Sequence, residues 1–253
     1  RPHGAGIFKD YSEKDPEKLY KEIYKHNQEW NWGLGNGNEG NSLAVAFSAD
    51  GLNWSDKINI MDLPGDTHNN ANWIPNLDKY VAMTRDWVDV DGKEKKQRAV
   101  IRIESSDFIK WENPKQVLVG QNFNLQTYAM PYFFYEGVYL GLVAIHDQKS
   151  DRVWTELAWS PDTINWTRID VGNPLIPNSE IKLDYDYGCV YACAAPIIKK
   201  DKNIIPKDLK LDFKFNICFV EIIKPANIQN WVKKIIGIIN SGVKAKNLNN
   251  PGA

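Results

Sequence analysis

The chain is poor in cysteine, in long apolar runs and in arginine. Three cysteines in 253 residues, Cys189, Cys193 and Cys218, exclude a disulfide framework. Cys189 and Cys193 are four apart, and on one strand their separation exceeds what a disulfide can span. No apolar run approaches the ~18 residues of a membrane span, so no membrane partner is expected. Six arginines leave little material for a site that needs three of them to converge. Arg1 to Gly6 carry no apolar core of the kind an export signal needs. Disorder and coiled coil are also excluded, because 43% hydrophobic and 25% charged residues are ordinary for a chain that buries a core.

The near-neutral total hides a division. Residues 1–198 hold 20 basic against 28 acidic residues, and residues 199–253 hold 11 against 4. Nine of the ten tryptophans lie in the first part. An acidic, tryptophan-rich body suits an uncharged polyhydroxyl ligand better than a nucleic acid.

An internal repeat organises the first part. Ser48-Ala-Asp50-Gly51-Leu-Asn-Trp54, Ser105-Ser-Asp107-Phe-Ile-Lys-Trp111 and Ser160-Pro-Asp162-Thr-Ile-Asn-Trp166 share the pattern Ser-x-Asp-x-x-x-Trp. Each box reads as a strand ending at the serine, a turn in which the aspartate accepts backbone N–H bonds, and a tryptophan that opens the next strand. The flanks before the boxes, such as Arg98-Ala-Val-Ile-Arg-Ile103, are strand-like. Upstream, Tyr20, Tyr80 and Tyr139 occupy one equivalent place, 28, 25 and 21 residues before the box serines. Asp15-Pro16 and the residues after it, taken alone, read as a capped helix; the strand reading is preferred because its two counterparts are plainly strands.

Units of ~50–60 residues with four short strands predict an all-β chain, a β-propeller of four-stranded antiparallel blades. Blade one is expected over residues 6–57, blade two over 69–117 and blade three over 128–170. A fourth begins near Gly188, with Cys189, Tyr191 and Cys193 on one face and a structural role for the thiols. About three and a half blades are thus recognisable, within residues 1–200. Residues 201–253 form a divergent, basic and irregular C-terminal segment, with Trp231-Val-Lys-Lys-Ile-Ile as a short amphipathic stretch.

Several motifs combine with the repeats: Asp66-Thr-His-Asn69 with Trp73, Lys79-Tyr80-Val with Arg85, Glu156-Leu-Ala-x-Ser160 with Trp166-x-Arg168, and Asp186-x-Gly188 with Ala195-Pro196-Ile197. Together they resemble the five-bladed propeller proteins related to glycoside hydrolase families 32 and 43, over roughly residues 5–200. The resemblance implies carboxylates from successive blades converging on an axial pocket, a carbohydrate substrate, and a secreted or periplasmic location. It implies no organic cofactor and allows an axial divalent cation such as Ca2+. The chain has no Asn-Asp-Pro-Asn-Gly motif near its start, no Arg-Asp-Pro beyond Arg85-Asp86-Trp87, no Glu-Cys motif, and no Glu near Tyr128.

Propeller geometry places a site independently of the resemblance. The box hairpins lie on the bottom face. The lead-ins to the first strands and the loops joining strands two and three lie on the top, where functional groups gather on a rigid scaffold. Asp66 and Asp186, each just before an innermost strand, are the expected inward carboxylates, with Glu156 as a candidate acid. Two like carboxylates facing each other would push one pKa up and so supply an acid and a base. His68, Asn69, Arg85, Asp86, Trp87, Tyr128, His146 and Asp147 are the expected sugar-binding residues, joined by Trp30 and Trp32 on the long loop over residues 26–41. No protein metal site is expected.

Gly35-Asn-Gly37-Asn-Glu-Gly40 fits G-x-G-x-x-G but precedes a strand, so it reads as loop and not as a dinucleotide site. Asn53-Trp-Ser55 and Asn165-Trp-Thr167 are formal glycosylation sequons inside the repeated turns and read as structural. The function expected is a glycoside hydrolase-like protein acting on a polysaccharide or oligosaccharide. The alternative is a non-catalytic propeller that binds carbohydrate or protein. A sialidase-like reading ranks below both, because it wants three converging arginines and only Arg1, Arg85, Arg98 and Arg152 lie near the top face. Oligomeric state is not legible.

Overall fold

The computed structural model describes residues 2–27, 41–66, 68–89, 96–135 and 137–193. Trp30, Trp32, the glycine-rich loop and the basic C-terminal segment lie outside these residues. Three antiparallel sheets follow one another along the chain. The first holds β1 (Pro2–Lys9), β2 (Tyr20–Asn27), β3 (Asn41–Ser48) and β4 (Ile58–Met61). The second holds β5 (Asn70–Ile74), β6 (Lys79–Asp89), β7 (Lys96–Ser105) and β8 (Trp111–Val119). The third holds β9 (Leu125–Ala129), β10 (Tyr132–Tyr135), β11 (Val138–Asp147), β12 (Arg152–Ser160) and β13 (Thr167–Arg168). In each sheet the strands lie in chain order, the up-and-down arrangement of a propeller blade. In the third, β9 and β10 together form the inner strand, both paired to β11; Pro131, which has no N–H for the ladder, interrupts them.

The repeat sets the register. Tyr20 stands opposite Ser48, Tyr80 opposite Ser105, and Tyr139 opposite Ser160. In every box the serine hydroxyl accepts the aspartate N–H, and one aspartate oxygen accepts the N–H groups two and three residues further on. The third turn residue takes positive φ: 77° at Gly51, 64° at Phe108 and 68° at Thr163. Glycine takes that conformation without strain. For Phe108 and Thr163 it costs about 1 kcal/mol, and complete burial holds them there. Asn53 and Asn165 each donate Nδ2 to their box aspartate, as the structural reading of the sequons expects. Near residue 15 the helix and strand readings divide the segment. Asp15 caps a single 3-10 turn over Pro16–Lys18, and the chain then enters β2.

Alternation sorts each central strand between two neighbours. Tyr80 and Ala82 of β6, with Ala99, Ile101 and Ile103 of β7, pack on Ile23, Leu43, Val45 and Phe47 of blade one. Val81, Met83 and Val100 face the other way, onto Met130, Tyr132, Val143 and Ile145 of blade three. Polar contacts stitch the same interfaces. Tyr80 Oη donates to Asp10 at 2.6 Å, Asn72 Nδ2 to the Tyr132 carbonyl at 3.0 Å, and Tyr132 Oη to the Val81 carbonyl at 2.8 Å. The fourth blade is seen only at its start. Cys189 forms an isolated parallel bridge with Val153 rather than a sheet of its own, and makes no disulfide.

Candidate functional site

The top ends of blades two and three meet in a cluster of aromatic rings and cations. His68, two residues before β5, has φ 64° and stacks on Tyr191 at 4.7 Å between centroids. Tyr128, on β9, lies 5.5 Å from Tyr191 and meets His146 edge-on at 5.5 Å. The lead-in to β5, the inner strand β9 and the segment after Gly188 thus supply three rings to one place. Blade two supplies the cations. Arg85 on β6 shares a face with Val81 and Met83 and so points toward blade three. Its guanidinium carbon lies 4.7 Å from the centroid of Tyr128. Arg98, the cross-strand partner of Trp87, lies 4.6 Å from the Trp87 ring and 5.2 Å from Tyr128, within the range of a cation–π contact.

The carboxylate of Asp66 pairs with Arg85 Nη2. Burial lowers the Arg85 pKa to about 10, with the like charge of Arg98 adding to the effect. Arg98 is lowered by burial as well, and so is Lys25 of β2, which also feels Arg85. Burial raises the Tyr191 phenol, assisted by Tyr128 and Cys189. His146 is held at both nitrogens, 2.7 Å from Asp151 Oδ1 and 2.7 Å from Gln148 Nε2. Gln126 Oε1 accepts Arg98 Nη1 at 2.9 Å.

The structure therefore brings together Asp66, His68, Arg85, Trp87, Tyr128 and His146 of the expected set, and places Glu156, Asn69, Asp86 and Asp147 elsewhere. Glu156 is 1% exposed. It accepts Arg168 Nε at 3.0 Å, Trp154 Nε1 at 2.9 Å and the Gly172 N–H at 3.2 Å. It faces blade two from mid-strand and is bound toward the outer strand β13, so it serves blade three's interior rather than an axial pocket. Asn69 is consumed as framework, donating to the Gly4 and Asp66 carbonyls and accepting Thr84 Oγ1. Asp86 lies on the opposite face of β6 from Arg85 and accepts the Trp87 N–H. Asp147 caps the β11–β12 turn, accepting the Lys149 N–H and the Ser150 hydroxyl. Asp186 is buried. Arg152, the first residue of β12, donates Nε to the neighbouring Tyr187 carbonyl, which sets Asp186 at the top of blade three. Lys25, Tyr191, Gln126 and Asp151 were not expected as site residues, and Arg98 was placed only near the top face. The cross-strand pairing of Arg98 with Trp87 was the available signal.

These side chains do not fit a divalent cation on the axis. Both nitrogens of His146 are engaged, one of them with Asp151, and Asp66 is paired with a guanidinium. Among the described residues no group of three His, Cys, Asp or Glu is placed to hold a metal. No helix among them is long and apolar enough to cross a membrane.

No protein-family model matches the chain, and no curated protein matches it in sequence. Solved structures match by shape. BT0996, solved in a complex with RGII, superposes with a TM-score of 0.55 at 15% identity, over 69% of this chain and 55% of that one. A protein described as a glycoside hydrolase gives 0.52 at 16% identity, over 69% and 55%. The chain has a glycoside-hydrolase-like β-propeller fold. A Bombyx mori GH32 β-fructofuranosidase gives 0.48 at 12% identity, over 67% of this chain and 34% of that one. The chain thus spans between a third and just over half of the length of these proteins. The two matches above 0.5 agree with the expected propeller fold.

Proposed function

We propose that the top-face cluster binds a carbohydrate and that the protein acts on it as a glycosidase, with Asp66 as its inward carboxylate. One observation carries this reading: an Asp66–Arg85 pair beside the Tyr128 face and the His68–Tyr191 stack. Aromatic faces stack on the apolar faces of sugar rings, and a charged pair beside them gives hydroxyls both a donor and an acceptor. Asp66, paired with a guanidinium, is assigned the part of nucleophile or base rather than of the acid. Asp186 is the second carboxylate of the proposal. A secreted or periplasmic location goes with a glycan substrate.

A second reading, carbohydrate binding without turnover, is favoured by the commitment of Glu156 to Arg168. Incubation with a panel of polysaccharides and oligosaccharides, read as release of reducing sugar, separates the two. Turnover that falls at least 100-fold in Asp66→Asn and Asp186→Asn, with unchanged thermal melting, supports the glycosidase. Binding with no turnover by the wild type selects the second reading. Turnover undiminished in both variants removes these carboxylates from the mechanism.

A further inference from the structure

The body of the chain is acidic, yet the cluster at its top is not. Lys25 feels the charge of Arg85, and Arg85 that of Arg98, and the carboxylate in direct contact with Arg85 is Asp66. Asp151, the next acid, is committed to His146. The Arg85 side chain is only 6% exposed, and its Nε and Nη1 have no acceptor among the described residues. The Nε of Arg98 has none either. Buried guanidinium nitrogens without acceptors are costly, because no hydrogen bond offsets their desolvation. Around them stand the rings of Trp87 and Tyr191 and the ring and hydroxyl of Tyr128, which bonds Arg85; none is a carboxylate.

We infer that Arg85 and Arg98 form an anion subsite, and that the glycan bound here carries a carboxylate, as a uronic acid does. This rests on the carbohydrate reading above and narrows it to acidic sugars. The chemistry matches on both counts. A sugar carboxylate has about four lone-pair positions, enough to accept from both unsatisfied arginines. The pyranose ring that bears it has an apolar face, which Trp87, 39% exposed, can cover. A uronate resting between Arg85 and Arg98 neutralises the surplus charge, with Asp66 left facing the neighbouring hydroxyls.

The test is calorimetric titration of the wild-type protein at low salt. The titrants are oligosaccharides containing glucuronic or galacturonic acid, and their carboxyl-reduced counterparts, in which each uronate has become the neutral hexose. Sodium phosphate and sodium acetate form the remaining arms. The inference expects an acidic member to bind at least tenfold more tightly than its reduced form and than either simple anion. It also expects Arg98→Gln to cancel that advantage, so that the acidic and reduced forms bind the variant equally well. Arg98→Lys, which keeps the charge, should retain part of it. Equal binding of the acidic and reduced forms overturns the inference and leaves the carbohydrate reading standing. Phosphate or acetate binding as tightly as the acidic sugar overturns it as well, since the site then takes any anion. No binding by any sugar, acidic or neutral, defeats the carbohydrate reading and the inference with it. The wild-type comparison needs no variant to fold.

Discussion

Replacing Lys21 with methionine should destabilise blade one where it meets blade two. Lys21 is 1% exposed, and its ammonium lies 3.0 Å from Asp10 Oδ2, 2.8 Å from Glu13 Oε2 and 3.0 Å from the Lys18 carbonyl. Asp10 is 2% exposed and also accepts the Tyr80 hydroxyl of blade two. Burial alone would raise the Asp10 pKa, but bonds from Ser12, Tyr80 and Lys21 outweigh it and hold the group low. Methionine keeps the stem's packing and removes the charge, which strands a buried carboxylate. Breaking a buried pair in this way costs about 3–5 kcal/mol. Because Ser12 and Tyr80 still donate to Asp10, the lower end applies, about 3 kcal/mol. In a folded unit of this size that corresponds to a melting point lower by roughly 6–12 °C. Circular dichroism melts at pH 7 measure it. The deficit should shrink at pH 4, where the stranded Asp10 can take up a proton, and Asp10→Asn in the same chain should recover about half of it. A single variant within about 1 kcal/mol of wild type, or a double variant no better than the single, would refute the reasoning.

Three further outcomes follow from the same structure. A Cβ at Gly6 would stand 2.0 Å from the Asn69 carbonyl oxygen, so Gly6→Ala should cost at least about 3 kcal/mol; Gly137→Ala, at φ 89° with open space around it, should cost about 1 kcal/mol, both read by urea unfolding. Burial raises the Glu104 pKa, but Lys79, Asn113 and Arg102 together bring it down to about 2. Its contribution is therefore complete above the ordinary glutamate value near 4.5 and is lost as pH falls toward 2. Glu104→Gln should flatten that part of the stability–pH curve. Arg168→Met should destabilise by about 3–5 kcal/mol through stranded Glu156, while glycan affinity measured below the melting point stays unchanged.

Much of the fold was legible because the Ser-x-Asp-x-x-x-Trp box is a local device. Its aspartate and serine satisfy the turn's own N–H groups, so sequence alone specifies it, and each tyrosine found upstream stands opposite its box serine. Trp54 departs from the pattern, since β4 opens four residues later at Ile58. The site was legible in part. Asp66, His68, Arg85 and Tyr128 could be found because topology alone sends lead-ins and top hairpins to one face. Glu156 was misplaced because its role depends on Arg168, which the β12–β13 hairpin brings two register positions away from it. Asn69 looked like a sugar ligand because a framework amide and a ligand amide are the same residue until its partners are known. Tyr191 and Lys25 join the cluster only through contacts between blades, and no local pattern encodes those.

The central claim is that ligands bind where the inner-strand lead-ins of blades two and three converge, and hydrogen exchange measured with and without a bound oligosaccharide tests it most directly. Added protection is expected over residues 65–69, 85–88, 126–129 and 189–192. Protection confined to the opposite hairpins, residues 48–54, 105–111 and 160–166, would contradict the account.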